Sequence, residues 1–277
     1  MKKIKKIKFV KELNVQKERK DGFNLVDMHL HTRASDGTIR IKDLLDTCNK
    51  KNIGVGITDH NSIKGAVKAH ELNLKRKNKI LLIPGIEVTT NNSKDLLFYF
   101  YDITELKEFY KLVKKTKRDN LGFNMNKTTL NMEELFDEAN KYNQFCALPH
   151  PFCNKVKKSY EYFKENKQFL KKINAIETYN GLLSNTSNKK AQEWNQILKK
   201  PATAGSDAHR LNDVGDVLVK ANADNMEDFI EEIKNGNSTI IVKNTNLLKH
   251  IRAQFEVLKN NTIIRLPTHP PHLMKKK

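Results

Sequence analysis

Short apolar runs alternate with amphipathic stretches from residue 24 onward, and this alternation limits the folds that the chain can adopt. The apolar runs predict strands at Asn24–His31, Ile53–His60, Ile80–Thr90, Leu96–Asp102, Phe145–Pro151, Ile173–Asn180 and Ala202–His209, with a shorter pair at Val217–Ala221 and Ser238–Lys243. Apolar spacing of three and four residues predicts helices at Ile41–Lys51, Ala66–Lys77, Glu105–Arg118, Met132–Tyr142, Tyr160–Lys171, Lys189–Lys200 and Met226–Asn235. Such repeated units predict an α/β fold with a mainly parallel sheet.

The chain divides into three predicted regions. Residues 1–22 are expected to form a basic N-terminal extension, and residues 23–243 carry the alternating strands and helices. Residues 244–277 are expected to form an amphipathic helix with a basic tail. The helix has one apolar stripe, formed by Leu247, Leu248, Ile251, Phe255 and Leu258. A stripe of this kind predicts packing on the body of the protein or on a second subunit, so a homo-oligomer is one expectation.

The balance of charges is strongly basic. The 51 Lys and Arg residues outnumber the 32 Asp and Glu residues, which gives a formal net charge of +19. This excess favours a phosphate-bearing partner, either a nucleic acid or a small anionic substrate. A Lys-rich and Asn-rich composition would produce the same excess without any such partner, so charge alone decides nothing.

Cysteine usage and hydropathy bear on the compartment. The three cysteines, Cys48, Cys146 and Cys153, form neither a CxxC pair nor a disulfide framework, which favours a reducing environment. No segment approaches the roughly 18 consecutive apolar residues of a membrane span. These features predict a cytoplasmic protein that does not enter a membrane.

Candidate metal ligands stand where predicted strands end. His29 and His31 share one face of their strand with Asp27, because residues two apart in a strand point the same way. The full candidate set is His29, His31, Asp36, His60, Glu87, His150, Asp207 and His209. In parallel α/β barrels the carboxyl ends of the strands meet on one face, so these eight side chains are expected in one cleft. Carboxylates crowded there need cations, and mixed imidazole and carboxylate donors suit Zn, Mn or Fe.

The order HxH, SDG, TDH, PGxE, HP and SDAH resembles the PHP (polymerase and histidinol phosphatase) family of metal-dependent phosphoesterases over about residues 24–243. The resemblance implies a distorted (β/α)7 barrel with two or three divalent metals at the carboxyl ends of its strands. It implies hydrolysis of a phosphate ester of a small metabolite or nucleotide by metal-activated hydroxide.

The resemblance also implies a ligand assignment. A first metal would be held by His29, His31, Glu87 and Asp207, and Glu87 would bridge to a second metal shared with His150. A third metal would be held by Asp36, His60 and His209. Members of the family often carry a His ligand on the strand after the Glu motif, but here that strand contains none. The expectation is that either Asp95 substitutes for it or the second metal binds weakly.

Roles beyond metal binding are expected for a few further residues. Glu87 and Asp207 are expected at the reacting centre, and Asp59 or His60 is the candidate general acid. Arg33 and Arg210 flank ligand motifs and are expected to bind the phosphate, since a guanidinium can bind it bidentately. Asp27 and Asp59 precede ligands and are expected to accept hydrogen bonds from their imidazoles. Glu177 is expected to line the cleft.

Two alternatives stay open from the sequence. The basic charge also fits a nucleic-acid-directed phosphoesterase or exonuclease. A metal-stabilised binding or regulatory module would fit the basic surface and the amphipathic C-terminal helix, although structural metal sites are usually closed and rich in cysteine.

Overall fold

A computed structural model describes residues 7–118, 127–153 and 158–243 of the chain. The strands, in chain order, are β1 Lys8–Val10, β2 Phe23–Asp27, β3 Gly54–Ile57, β4 Leu82–Thr89, β5 Asp95–Phe100, β6 Lys117–Arg118, β7 Lys127–Thr128, β8 Gln144–Leu148, β9 Ala175–Asn180, β10 Ala202–Gly205, β11 Val217–Asn222 and β12 Thr239–Lys243. The helices are α1 Val15–Lys20, α2 Ile41–Lys51, α3 Lys64–Leu74, α4 Ile103–Thr116, α5 Met132–Ala139, α6 Tyr160–Glu165, α7 Lys167–Lys172, α8 Asn185–Leu198 and α9 Met226–Lys234, with a 3₁₀ turn at Leu211–Asp213.

Ten strands form one strongly curled sheet in the order β1-β12-β11-β2-β3-β4-β5-β8-β9-β10, and β6 pairs with β7 separately. Beyond β2 and β10 the two ends of the barrel meet. The amide of Asp207 donates to the carbonyl of His29 at 2.8 Å, and the amide of His31 donates to the carbonyl of Ala208 at 2.9 Å. The seven strands from β2 to β10 therefore enclose a distorted barrel, which confirms the predicted α/β class and its barrel form.

The sheet is mixed, whereas a mainly parallel one was predicted. Strand β5 runs antiparallel to both β4 and β8, while β2, β3 and β4 are parallel to one another, as are β8, β9 and β10. The physical reason is the connection between β4 and β5, which is a tight turn in which Ser93 adopts a φ of 64°. A turn of this length is too short for the helical crossover that a parallel pair of strands needs. Because β5 is reversed, its first residue, Asp95, lies at the edge where the parallel strands end.

The barrel wall is apolar on both faces, as alternate residues of β5 show. Phe98 and Phe100 point to the face covered by the outer helices, where Phe109 of α4 packs against both rings. Leu97 and Tyr99 point to the opposite face, which β11, β12 and α9 help to fill. Burial of each such side chain contributes about 1.5–3 kcal/mol, so this two-sided core fixes the strand ends that carry the polar residues.

The described part of the N-terminal extension packs on the sheet. Strand β1 pairs in parallel with β12, and Lys220 of β11 forms an ion pair with Glu18 of α1 while its ammonium lies 3.8 Å from the centre of the Phe23 ring. Neither β1 nor α1 was predicted, because segments of three and six residues carry too little periodicity. The predicted helix at Tyr160–Lys171 is two helices, since Asn166 has a non-helical backbone.

The predicted C-terminal helix, and the homo-oligomer contact expected of it, fall in residues 244–277, outside the described residues. Within the described ranges, none of the helices combines the length and the apolar character that crossing a bilayer requires.

Candidate metal centre

The eight candidate ligands meet at the carboxyl edge of the barrel, and Asp95 joins them from the reversed strand β5. Their donor atoms fall into four overlapping groups, each with all atoms within 4.8 Å of one another. The first group is His29, His31 and Asp207, and the second is His29, Glu87 and His150. The third group is His31, Asp36, His60 and His209, and the fourth is His60, Glu87 and Asp95. Six of the eight side chains are buried, and Asp36 and His60 are the two that solvent reaches, each 16% exposed.

The first group converges on one point. The Nε2 atoms of His29 and His31 lie 3.2 Å apart, and Oδ1 of Asp207 lies 3.1 Å from His31 Nε2 and 3.6 Å from His29 Nε2. Oε2 of Glu87 lies 3.4 and 3.3 Å from the same two nitrogens. A tetrahedral cation with ligands at about 2.0–2.1 Å has ligand atoms about 3.3 Å apart, so these four donors fit a transition-metal ion.

Glu87 presents its other oxygen to a second group. Oε1 of Glu87 lies 2.9 Å from Nε2 of His150, and Oδ2 of Asp95 lies 3.9 Å from the same nitrogen. The carboxylate of Glu87 thus lies between the two groups with one oxygen for each. Asp95 lies beside His150. It belongs to the strand on which members of the PHP family often carry a His and this chain carries none.

The third group is the most open to solvent. Oδ2 of Asp36 lies 3.3 Å from Nε2 of His209 and 3.9 Å from Nε2 of His60, and the His31 ring stacks between the other two imidazoles at centroid distances of 4.4 and 4.5 Å. The Nδ1 atom of His31 is buried and makes no hydrogen bond within the described ranges, its nearest carboxylate oxygen being Asp36 Oδ1 at 3.8 Å. A buried nitrogen of this kind next to a carboxylate and two imidazoles also fits a cation site.

The charges of the cluster compensate one another in the protein alone. Burial opposes ionisation of Glu87, Asp207 and Asp36, yet the neighbouring imidazoles hold the pKa of each carboxyl well below its usual value. For His209, burial favours the neutral ring, but Asp36 and Asp207 outweigh it and raise its pKa to about 9. Protons on the imidazoles therefore occupy the place that divalent cations would take, and metal binding would displace them.

Two of the candidate ligands have a strained backbone. His150 and Asp207 both have positive φ values, 29° and 52°, although neither is a glycine. This conformation costs of order 1–3 kcal/mol per residue and persists where the surroundings demand it. Both residues lie two positions after a strand end, so the unusual backbone occurs at the edge of the barrel where the candidate ligands meet.

Further contacts hold the candidate ligands in place, and most of them were not expected from the sequence. Nδ1 of His29 lies 2.9 Å from Oε1 of Glu177, and Nδ1 of His209 lies 2.9 Å from the carbonyl oxygen of Asp207. Each contact directs the Nε2 atom of the ring toward the cluster. Asn180 donates to Oδ2 of Asp207 at 3.1 Å. The signal for Glu177 in the sequence is a carboxylate within a predicted strand.

Asp27 and Asp59 support loops and do not orient the imidazoles, contrary to expectation. The carboxylate of Asp27 accepts hydrogen bonds from the amide and hydroxyl of Ser206 and from the amide of Gly215, at 2.6–2.9 Å. That of Asp59 accepts from the amide and hydroxyl of Thr32 and from the hydroxyl of Ser35, at 2.7–2.8 Å. Burial raises the pKa of Asp27 to about 6, although these hydrogen bonds oppose the rise.

The two arginines expected to bind phosphate differ in their surroundings. Arg33 is exposed, and its Nε donates to the carbonyl of Thr38 at 3.1 Å. Arg210 binds the Asp213 carboxylate with both Nε and an Nη atom, at 2.8 and 3.2 Å. A phosphate that approached Arg210 would compete with this carboxylate.

Comparison with known proteins gives matches in sequence and in fold. The model of the PHP-associated family matches residues 185–238, a stretch that contains Asp207 and His209. The uncharacterized protein MJ0417 of Methanocaldococcus jannaschii is 27% identical over 238 residues, which cover 81% of this chain and 85% of that protein.

Two solved structures share the fold at low sequence identity. A two-domain protein of Bacteroides vulgatus that contains a predicted PHP-like metal-dependent phosphoesterase superposes with a TM-score of 0.58 at 17% identity, over 85% of this chain and 71% of that one. The lesion-specific endonuclease PfuEndoQ of Pyrococcus furiosus gives a TM-score of 0.60 at 15% identity, over 90% and 73% of the two chains. The matched PHP-associated segment and the shared fold agree with the resemblance of this chain to the PHP family.

Proposed function

We propose that this protein is a metal-dependent phosphoesterase that hydrolyses a phosphate ester of a small phosphorylated metabolite or nucleotide. The observation that carries the proposal is the position of Glu87, whose two oxygens face two different sets of nitrogen donors, His29 and His31 on one side and His150 on the other. A carboxylate between two imidazole-lined sites is the arrangement that a pair of neighbouring cations requires.

The donor set favours two or three divalent transition metals. Imidazole nitrogens mixed with carboxylate oxygens suit Zn, Mn or Fe, and the placement of Asp95 beside His150 makes the second site the more oxygen-rich of the pair. When bound, such ions would polarise phosphoryl oxygens and lower the pKa of water, so that hydroxide is available as the nucleophile at neutral pH. His29, His31, Glu87 and Asp207 are the residues proposed to hold the first ion, with Asp36, His60 and His209 holding the third.

The remaining proton chemistry falls to the residues at the mouth of the cluster. Both oxygens of Asp59 accept hydrogen bonds from the loop at Thr32–Ser35, which disfavours this residue as the general acid. His60 is partly exposed and lies between Glu87 and Asp36, so with two metals bound and the third site empty it is the better candidate for giving a proton to the leaving group. We propose Arg33 as the principal phosphate-binding cation, because its guanidinium is exposed on the loop that follows His31.

A nucleic-acid substrate is the second candidate. The net charge of +19 and the fold shared with a lesion-specific endonuclease favour it. The two candidates differ in their response to salt, since a protein that contacts several phosphates of a polymer loses affinity steeply as salt increases. Binding of a labelled single-stranded oligonucleotide and hydrolysis of a mononucleotide, each measured between 50 and 200 mM salt (about a fourfold range), would separate them. A tenfold or greater loss confined to the oligonucleotide would favour the polymer.

We further propose a reducing, cytoplasmic location. Cys48 and Cys146 are buried free thiols, and burial raises the pKa of Cys48 to about 12. Buried thiols of this kind are inert and carry no signature of secretion.

A further inference from the structure

Glu177 lies beside the candidate metal centre as the third residue of β9, where its register partner across the sheet is Thr203 of β10. Its side chain is buried, and it belongs to none of the four candidate ligand groups. A carboxylate buried in this way must be compensated by donors, since an uncompensated buried charge is strongly unfavourable.

Every polar contact of Glu177 is with a donor. Oε1 lies 2.9 Å from Nδ1 of His29, and Oε2 accepts from the backbone amide of His150 at 2.8 Å and from the side-chain amide of Asn180 at 3.0 Å. The same Asn180 nitrogen donates to Oδ2 of Asp207 at 3.1 Å. One carboxylate therefore contacts His29 of the first group and His150 of the second, and it reaches Asp207 through Asn180.

Asn180 is held rigidly enough to transmit this contact. Its backbone amide and carbonyl are both hydrogen-bonded to the side chain of Asn188 on α8, at 2.9 and 3.0 Å, and its Oδ1 accepts from the amide of Leu182 at 3.0 Å. With Oδ1 already engaged as an acceptor, the orientation of the amide group is fixed. Its two N–H bonds must then point to Glu177 and Asp207.

We infer that Glu177 is a positioning residue that couples the first and second ligand groups, by fixing the tautomer of His29 and the strained backbone of His150 at the same time. The inference rests on the proposed function only in treating those groups as metal ligands. The contacts require an acceptor at both oxygens. A glutamine would put its NH₂ group either against the donors at His150 and Asn180 or against Nδ1 of His29, and the second choice favours the tautomer whose Nε2 carries a proton.

Glu177→Gln is the direct test, with zinc alone as the probe. We expect zinc affinity, measured by competition with a chromophoric chelator, to fall about 10- to 100-fold for the first and second groups, the usual effect of losing an outer hydrogen-bond partner. The group of Asp36, His60 and His209 has no direct contact with Glu177 and should keep its affinity. The visible spectrum of the Co²⁺-loaded protein should change as well, because ring orientation alters the ligand field.

Glu193→Gln is the matched control, since Glu193 lies exposed on α8 and should leave zinc affinity and the Co²⁺ spectrum unchanged. A purely structural role for Glu177 predicts a lower free energy of unfolding in chelator with zinc affinity unchanged, and that result would overturn the inference.

If Glu177→Gln does not fold, Glu177→Asp serves in its place, because its shorter side chain cannot reach both His29 and His150. Wild-type zinc affinity in Glu177→Asp would also overturn the inference. Wild-type protein that binds zinc without hydrolysing any phosphate ester would instead refute the proposed function and leave the positioning role of Glu177 intact.

Discussion

Gly205, the last residue of β10, lies against His29 so closely that a Cβ at this position would come 2.3 Å from the Cβ of His29 and 2.5 Å from its amide nitrogen. Any side chain at position 205 must push the backbone of His29 away from the cluster. The absence of a side chain at Gly205 is thus a condition for the position of His29, a candidate metal ligand.

Gly205→Ala is therefore expected to remove zinc from the first ligand group and to lower the free energy of unfolding by about 1–3 kcal/mol, the usual cost of an overpacked core. Metal content after dialysis and denaturant unfolding measure the two effects. Gly236→Ala is the control: unlike Gly205, Gly236 has a positive φ, 68°, and no atom lies within 4 Å of the added carbon. It should lose about 1 kcal/mol through its backbone alone and keep its metals. Full zinc content in Gly205→Ala would contradict the assigned packing.

Asp59 is predicted to act through the loop that carries Asp36 and not as a proton donor. Asp59→Asn weakens the contacts with Thr32 and Ser35, so the free energy of unfolding should fall by about 1–2 kcal/mol. Turnover should fall by the same factor for an aryl phosphate and an alkyl phosphate. A loss of turnover confined to the alkyl phosphate, which has the poorer leaving group, would show that Asp59 donates the proton after all.

Zinc binding should release protons from the cluster at neutral pH. The pKa of His209 is about 9, raised by Asp36 and Asp207 against the effect of burial, so the metal-free protein carries a proton there that zinc must displace. Calorimetry in buffers of different ionisation enthalpy should find about one proton fewer released by His209→Gln than by the wild type at pH 7.5. Equal proton release by both proteins would contradict this prediction.

The same shift predicts how stability depends on pH. The pKa of His209 is higher in the folded chain than its ordinary 6.5, so its contribution is fully present below pH 6.5 and is lost as the pH rises through 9. In chelator, the free energy of unfolding of the wild type should therefore decline relative to His209→Gln over this range.

Arg33→Gln should raise KM for a phosphate monoester about tenfold and leave kcat nearly unchanged, because the exposed guanidinium contacts substrate equally before and during the reaction. Arg40→Gln is the control on the same loop, since Arg40 is exposed and paired with Asp43. A loss in kcat alone would show instead that Arg33 acts on the transition state.

The positions of the strands and the ligand set were largely readable from the sequence because both depend on local pattern. Strand ends bring their final residues to one edge, so motifs such as His29-Leu30-His31 and Asp207-Ala208-His209 are expected to lie together from the sequence alone. The reversal of β5 could not, because it depends on which strand pairs with which over long stretches of chain.

The roles of buried acceptors were also hidden from the sequence. Asp27 and Glu177 act on partners 179 and 148 residues away along the chain, Ser206 and His29. A motif read along the sequence reports the type of a side chain but not the donor it will face. Asp27 precedes a candidate ligand by two residues, but its carboxylate binds Ser206, which follows the last strand of the barrel.

The most direct test of the account is the metal content of the purified protein, measured together with chelator-sensitive hydrolysis of an aryl phosphate, in the wild type and in Glu87→Gln. We predict at least two equivalents of transition metal and hydrolysis that stops with chelator in the wild type. Glu87→Gln should lose at least one equivalent and at least about 100-fold in turnover, since its amide cannot serve two cations. A folded Glu87→Gln protein with undiminished metal content and turnover would contradict the central claim that Glu87 joins two metal sites.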